Sequence, residues 1–187
     1  MKITTREMIL VSLFTALTAI GAFLSIPLGN VPISLQSMFT ILAGLLLGPK
    51  LGAFSQLIYV LLGLSGVRIF AGFSGGPQSI FSATFGFLIA FIPAAFIVGK
   101  ITYSERPSLK RIFLATLAGT LVIYLFGVPY MYMILNNVLA NPISFATALK
   151  SGCLIFLPGD LLKAIASSLI AVKVINNLQF GGQSPKL

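Results

Sequence analysis

The sequence predicts an all-α, polytopic membrane protein with six transmembrane helices, and three observations predict it. Of its 187 residues, 57% are apolar and only 8% charged, against roughly a quarter charged in soluble domains. So few charges cannot cover a surface that faces water. The apolar residues fall into runs divided by Gly, Pro and Asn. The basic residues stand singly at the ends of those runs, and they segregate strongly to one side.

Lys2 and Arg6 precede the apolar run 8–26. It is longer than the core of a signal peptide and further hydrophobic segments follow, so it reads as an uncleaved first span. Pro27, Gly29, Asn30 and Pro32 make a short loop. Two short apolar stretches come next, 33–47 and 51–64, divided by Gly48-Pro49-Lys50. Proline breaks a continuing helix, and each stretch is shorter than the ~20 residues that cross a bilayer squarely. They read as two short helices or one broken span.

Residues 65–78 form a glycine-rich loop that contains Arg68. The fourth span is 80–98, with Pro93 as a kink, and 99–111 is a polar, basic connection. The fifth span, 112–133, is interrupted near Gly127-Val128-Pro129. Asn136, Asn137, Asn141 and Pro142 mark a loop, 149–174 is the sixth span, and 176–187 is a polar tail. With six spans, one side holds Lys2, Arg6, Lys50, Lys100, Arg106, Lys110, Arg111, Lys173 and Lys186, and the other only Arg68 and Lys150. Merging the second and third spans would put 100–111 opposite the basic N-terminus. The positive-inside rule therefore favours six spans with both termini in the cytoplasm.

The net charge of +9 belongs to the same rule. It contains no basic block and no interleaved aromatics of the kind that grip nucleic acid. One cysteine, Cys153, and no histidine leave no zinc site and no Ser-His or Cys-His pair. The acids are Glu7, Glu105 and Asp160, too few for a two-aspartate intramembrane protease. No G-x-x-x-x-G-K-[ST] loop occurs, so the chain does not itself hydrolyse ATP. An enzyme is not expected, nor a cofactor or metal.

Four constellations remain. The first is Phe156-Leu-Pro-Gly-Asp-Leu-Leu-Lys163-Ala. A charge at bilayer depth costs several kcal/mol and marks a functional site. Asp160 and Lys163 are three apart, on one helix face, and Pro158 disturbs the turn before them. Such irregular backbone is tolerated at depth where it lines a cavity. The second is the loop 63–76, whose Arg68 offers a charge to an anionic ligand and whose Phe70 and Phe73 are placed to close over one. The third is Val31-Pro-Ile-Ser-Leu-Gln36, where Gln36 offers donors and an acceptor. The fourth is a face of small residues on the first span. Ser12/Ala16, Thr15/Ala19 and Thr18/Ala22 each keep the spacing that lets helices approach closely in lipid, against a helix of this chain or of another.

The Pro-Gly-Asp-x-x-Lys run, Pro32-Ile-Ser-Leu-Gln36, Leu47-Gly-Pro-Lys-Leu-Gly52 and Phe70-Ala-Gly-Phe-Ser-Gly-Gly76 together resemble BioY proteins, the biotin-binding S components of energy-coupling factor (ECF) transporters. The resemblance spans about 6–174. It implies a six-helix S component in a prokaryotic plasma membrane, capturing biotin from outside. It also implies partners: a transmembrane T subunit and two cytoplasmic ATPases. In the family the motif's Asp and Lys contact the ureido ring, which maps to Asp160 and Lys163, and a polar loop residue maps to Ser74. S components commonly dock their T subunit through Ala-x-x-x-Ala in helix one, here filled by Ser12, Thr15, Ala16 and Ala19. Arg68-Ile69 stands where many members have Pro-Val, and Ser82-Ala-Thr-Phe-Gly-Phe87 where many have Gly-Pro-Thr-Gly-Gly-Tyr. The residues by themselves also admit an S component for another vitamin, or a stand-alone proton-coupled carrier using Asp160.

Overall fold

The computed structural model describes residues 3–27, 31–103 and 107–180. Lys2, Gly29, Asn30, Glu105, Arg106 and the tail stretch 181–187, with Lys186, lie outside the described residues.

Helix α1 (Thr5–Phe23) starts at a capping box. Thr4 Oγ accepts the Glu7 N–H, and the Glu7 carboxylate accepts the Thr4 N–H, which satisfies two of the donors a helix start leaves open. Strands β1 (Ser25–Ile26) and β2 (Ile33–Ser34) pair antiparallel and return the chain into α2 (Gln36–Leu64). Among the described residues, five helical stretches are long and apolar enough to cross a membrane: Thr5–Phe23, Gln36–Leu64, Phe85–Thr102, Leu109–Asn137 and Phe145–Ile175.

Helix α2 is not a straight rod. Gln36 Nε2 donates to Tyr59 Oη at 2.7 Å and Thr40 Oγ to Gln56 Oε1 at 3.0 Å. Gln36 and Tyr59 are 23 residues apart in sequence, which along an unbroken helix would be about 34 Å. The chain instead reverses at Gly48, whose φ of 79° is left-handed, with Pro49 opening the return. The halves 36–47 and 49–64 lie against each other. The two apolar stretches that the sequence divides at Gly48-Pro49-Lys50 are thus two arms of one reversed helical segment.

Two 3₁₀ turns, Ala71–Phe73 and Pro77–Phe81, precede α3 (Phe85–Thr102). Helix α4 runs Leu109–Asn137. The fourth apolar stretch, 80–98, thus begins as a 3₁₀ turn and becomes α-helical only at Phe85. Pro93 and Pro129 lie inside α3 and α4, and neither ends its helix. The last span is composite: α5 (Phe145–Leu149), a π-turn at Lys150–Leu154, and α6 (Leu157–Phe180). The Ile155 N–H reaches back five residues to the Lys150 carbonyl at 3.2 Å. Pro158 has no N–H for the Leu154 carbonyl, so the regular ladder cannot run through this stretch. At the other end α6 continues helical to Phe180, into the polar stretch that the sequence separates as tail.

These reversals sort the molecule into two ends. One gathers the start of α1, the α2 reversal, the end of α3 and the start of α4, where Arg111 Nε donates to the Ile101 carbonyl at 2.6 Å. The other gathers the β1–β2 pair, the 65–84 loop and the end of α4, where Tyr130 Oη donates to the Ile80 carbonyl at 2.5 Å. Leu121, Leu125, Leu162 and Leu169 are each more than half exposed, as side chains that face lipid rather than water.

Candidate functional site

Beneath the 65–84 loop, α2, α3, α4 and α6 enclose a pocket. Its walls are apolar, with Phe70, Phe87, Phe91, Ile123 and Phe156 among them. Its polar groups, including Ser37, Tyr124, Asp160 and Lys163, converge on one end. This is the common design of a small-molecule site.

The break before Leu157 sets that polar end. Because α6 restarts there, Asp160 falls in the first turn of a new helix, where the helix dipole favours a negative charge. The Asp160 N–H closes the turn on the Phe156 carbonyl at 2.8 Å. One turn on, Lys163 Nζ lies 3.0 Å from Asp160 Oδ1, and both side chains are nearly buried. Lys163 also donates to Ser37 Oγ at 3.3 Å, across 126 residues of sequence. Tyr124 Oη, from the middle of α4, donates to Asp160 Oδ2.

The protein's own bonds use only part of the hydrogen-bonding capacity of this pair. An ammonium has three donors and a carboxylate about four acceptor positions. Lys163 uses two donors, on Asp160 and Ser37, and has one left. Asp160 accepts from Lys163 and Tyr124, and has about two positions left. The site can therefore take a group that carries one acceptor flanked by two donors. The open volume is about 80 Å³, smaller than the roughly 300–1,000 Å³ of ordinary ligand sites.

The residues singled out in the sequence divide clearly. Asp160, Lys163, Gln36 and Phe70 line this pocket. Gln36 is engaged within the fold: its oxygen accepts from Ser34 Oγ at 2.9 Å, and its amide donates to Tyr59, whose hydroxyl donates to the Ile69 carbonyl at 2.9 Å. It tethers the loop over the pocket. Phe73, Ser74 and Arg68 are exposed and lie outside the lining. Phe73 stacks on Phe23 at 4.8 Å, and Ser74 Oγ donates to the Ala71 carbonyl at 2.9 Å.

The small-residue face of α1 is split. Thr15, Thr18, Ala19 and Ala22 are buried against the chain's own helices, with Thr15 Oγ 2.9 Å from the Ser55 carbonyl. Ser12 and Ala16 face outward. Tyr124 and Ser37 also line the polar end, and no sequence motif marks either. A tyrosine at mid-span is itself a signal, because a buried phenol needs a partner.

The BioY family profile matches residues 1–180 of this chain. A probable biotin transporter BioY of Pyrococcus horikoshii is 44% identical over 92% of this chain and 98% of its own length. Another from Lysinibacillus sphaericus is 39% identical over 91% and 87%. The crystal structure of the S-component for biotin from an ECF-type ABC transporter superposes with a TM-score of 0.68, at 31% identity, over 90% of each chain. The motif in which Asp160 and Lys163 stand thus lies within a match that covers nearly the whole length, and the chain belongs to the BioY family.

Proposed function

We propose that this chain is the substrate-capturing subunit of an ECF-type vitamin transporter and that its ligand is biotin. The observation that carries the reading is the unfilled capacity at Asp160 and Lys163. A ureido ring has two N–H donors and one carbonyl, the complement of the two acceptor positions on Asp160 and the one donor on Lys163. Its apolar bicycle and chain suit a wall of Phe70, Phe87, Phe91 and Ile123. Gln36 holds the loop. Arg68, Phe73 and Ser74, on the rim, meet the outer end of the ligand when the loop closes over it.

Six crossings follow from the same reading, since the reversal of α2 at Gly48 supports counting its two arms separately. That count puts Arg6, Lys50, Lys100, Lys110, Arg111 and Lys173 on the cytoplasmic side with both termini, and the mouth of the pocket outside. Partners in this reading are a T subunit and two ATPases that supply the energy. On α1 the outward Ser12 and Ala16 are left to meet the T subunit, while Thr15 and Ala19 serve the fold.

Calorimetry of the purified chain in detergent tests the assignment. The chain is expected to bind biotin tightly. Asp160→Ala and Lys163→Ala each lower affinity by at least about a hundredfold, since each removes charge-assisted bonds worth about 1.5–3 kcal/mol and leaves its partner charge unpaired. Tight binding in both variants would sink the site. Stabilisation by a different vitamin in a thermal-shift screen, with none by biotin, would reassign the substrate.

A further inference from the structure

A second recess lies at the opposite, cation-rich end. It is a cleft of about 540 Å³ lined by Glu7, Leu47, Pro49, Lys50, Leu51, Lys100 and Tyr103. Its construction follows from one close contact. A Cβ on Gly99 would lie 2.5 Å from backbone atoms of Gly48 and Pro49, so glycine alone lets the α2 reversal press against α3. Lys50 and Lys100 each follow that contact by one residue and so flank it. Both are exposed, and neither makes a hydrogen bond or ion pair among the described residues. Glu7, the acid in the lining, has one carboxylate oxygen engaged by the backbone and hydroxyl of Thr4 at the start of α1. The floor is apolar, from Leu47, Pro49 and Leu51, and Tyr103 at the rim is 68% exposed.

Two uncommitted ammonium groups above an apolar floor, beside an exposed tyrosine at a helix end, match a phospholipid rather than a free anion. The charges suit a phosphate, the tyrosine suits the headgroup layer, and the floor suits the first methylenes of an acyl chain. Basic recesses between transmembrane helices on the cytoplasmic side take anionic headgroups for these reasons. We propose that this cleft binds an anionic membrane phospholipid, with Lys50 and Lys100 bracketing its phosphate and Tyr103 donating to it. The site is independent of the biotin pocket and would stand if that ligand were reassigned.

The test uses the full chain, delipidated in neutral detergent, with retained lipid read by native mass spectrometry and stability read by thermal unfolding. Phosphatidylglycerol, phosphatidylcholine and inorganic phosphate are the probes. Phosphatidylglycerol is expected to be retained and to raise the unfolding midpoint, with phosphatidylcholine and phosphate doing neither. Lys50→Gln and Lys100→Gln each weaken retention roughly fivefold, and together about twenty-five-fold. Lys150→Gln, which removes a charge at the other end, changes it less than twofold. Unchanged ligand binding at the upper pocket shows that the variants are folded. The proposal is overturned if the double variant retains phosphatidylglycerol like wild type, or if phosphatidylcholine is held equally well. Stabilisation by inorganic phosphate alone would assign the lysines to a free anion instead, and loss of partner-subunit binding without loss of lipid would assign them to protein docking.

Discussion

Two of the polar clusters in this bundle are built to opposite rules. The first joins α1 to both arms of α2. Gln56 donates to Thr18 Oγ at 3.2 Å and Ser55 Oγ at 3.1 Å, and its oxygen accepts from Thr40 at 3.0 Å. Ser55 Oγ donates onward to the Gly52 carbonyl at 2.8 Å. All four of these residues are fully buried, and none is charged. The second is Tyr124–Asp160–Lys163–Ser37, which carries two full charges, is only partly buried, and keeps capacity unused. A closed, neutral network suits a joint between helices, because every group is satisfied whether or not anything binds. An open, charged one suits a ligand, because it keeps donors and acceptors that the protein itself does not use.

The contrast can be broken or sharpened by three substitutions. Gln56→Leu strands hydroxyls in the closed cluster and is expected to cost about 2 kcal/mol of stability, seen as a lower unfolding midpoint in detergent. Affinity for biotin should stay within about threefold. A large loss of affinity without loss of stability would show that the closed cluster is part of the site. Tyr124→Phe is expected to do the reverse. Tyr124 holds the carboxylate of Asp160 in place, so its loss weakens biotin binding about tenfold by calorimetry, while the unfolding midpoint without ligand falls less than in Gln56→Leu because Asp160 keeps Lys163. Ser37→Ala removes the longest bond in the open cluster, 3.3 Å, and should weaken binding only about threefold. An effect larger than that of Tyr124→Phe would mean that Ser37, not Tyr124, holds the pair in place.

The same contrast explains what the sequence could reveal. The open cluster announces itself through charge: Asp160 and Lys163 stand out in an apolar run, and Pro158 beside them marks the break that frames them. Gly48-Pro49 likewise marks a break between two apolar stretches, and by itself it leaves two short helices and one broken span both open. Arg68 and Ser74, second to that pair as candidates, are exposed and stand outside the pocket lining. Glycines at 72, 75 and 76 free the loop backbone, so spacing along it says little about direction. Tyr124 is 36 residues from Asp160 and Ser37 is 126 from Lys163. No local pattern links such pairs, and only packing brings them together. The π-turn at Lys150–Leu154 is legible only in part: Pro158 signals an interrupted ladder without saying which turn absorbs it.

The separation of Ser37 from Lys163 bears on biogenesis. Chains insert into a membrane from the N-terminus onward. The closed cluster, whose members all lie between Thr18 and Gln56, can therefore assemble as soon as the first three helical arms are in the bilayer. The open cluster has its first member at Ser37 and both charges beyond Leu157, so it is completed by the last segment to be inserted. Ligand recognition thus certifies that synthesis has finished, and a shortened chain lacking α6 would keep its founding joint while remaining blind to its ligand.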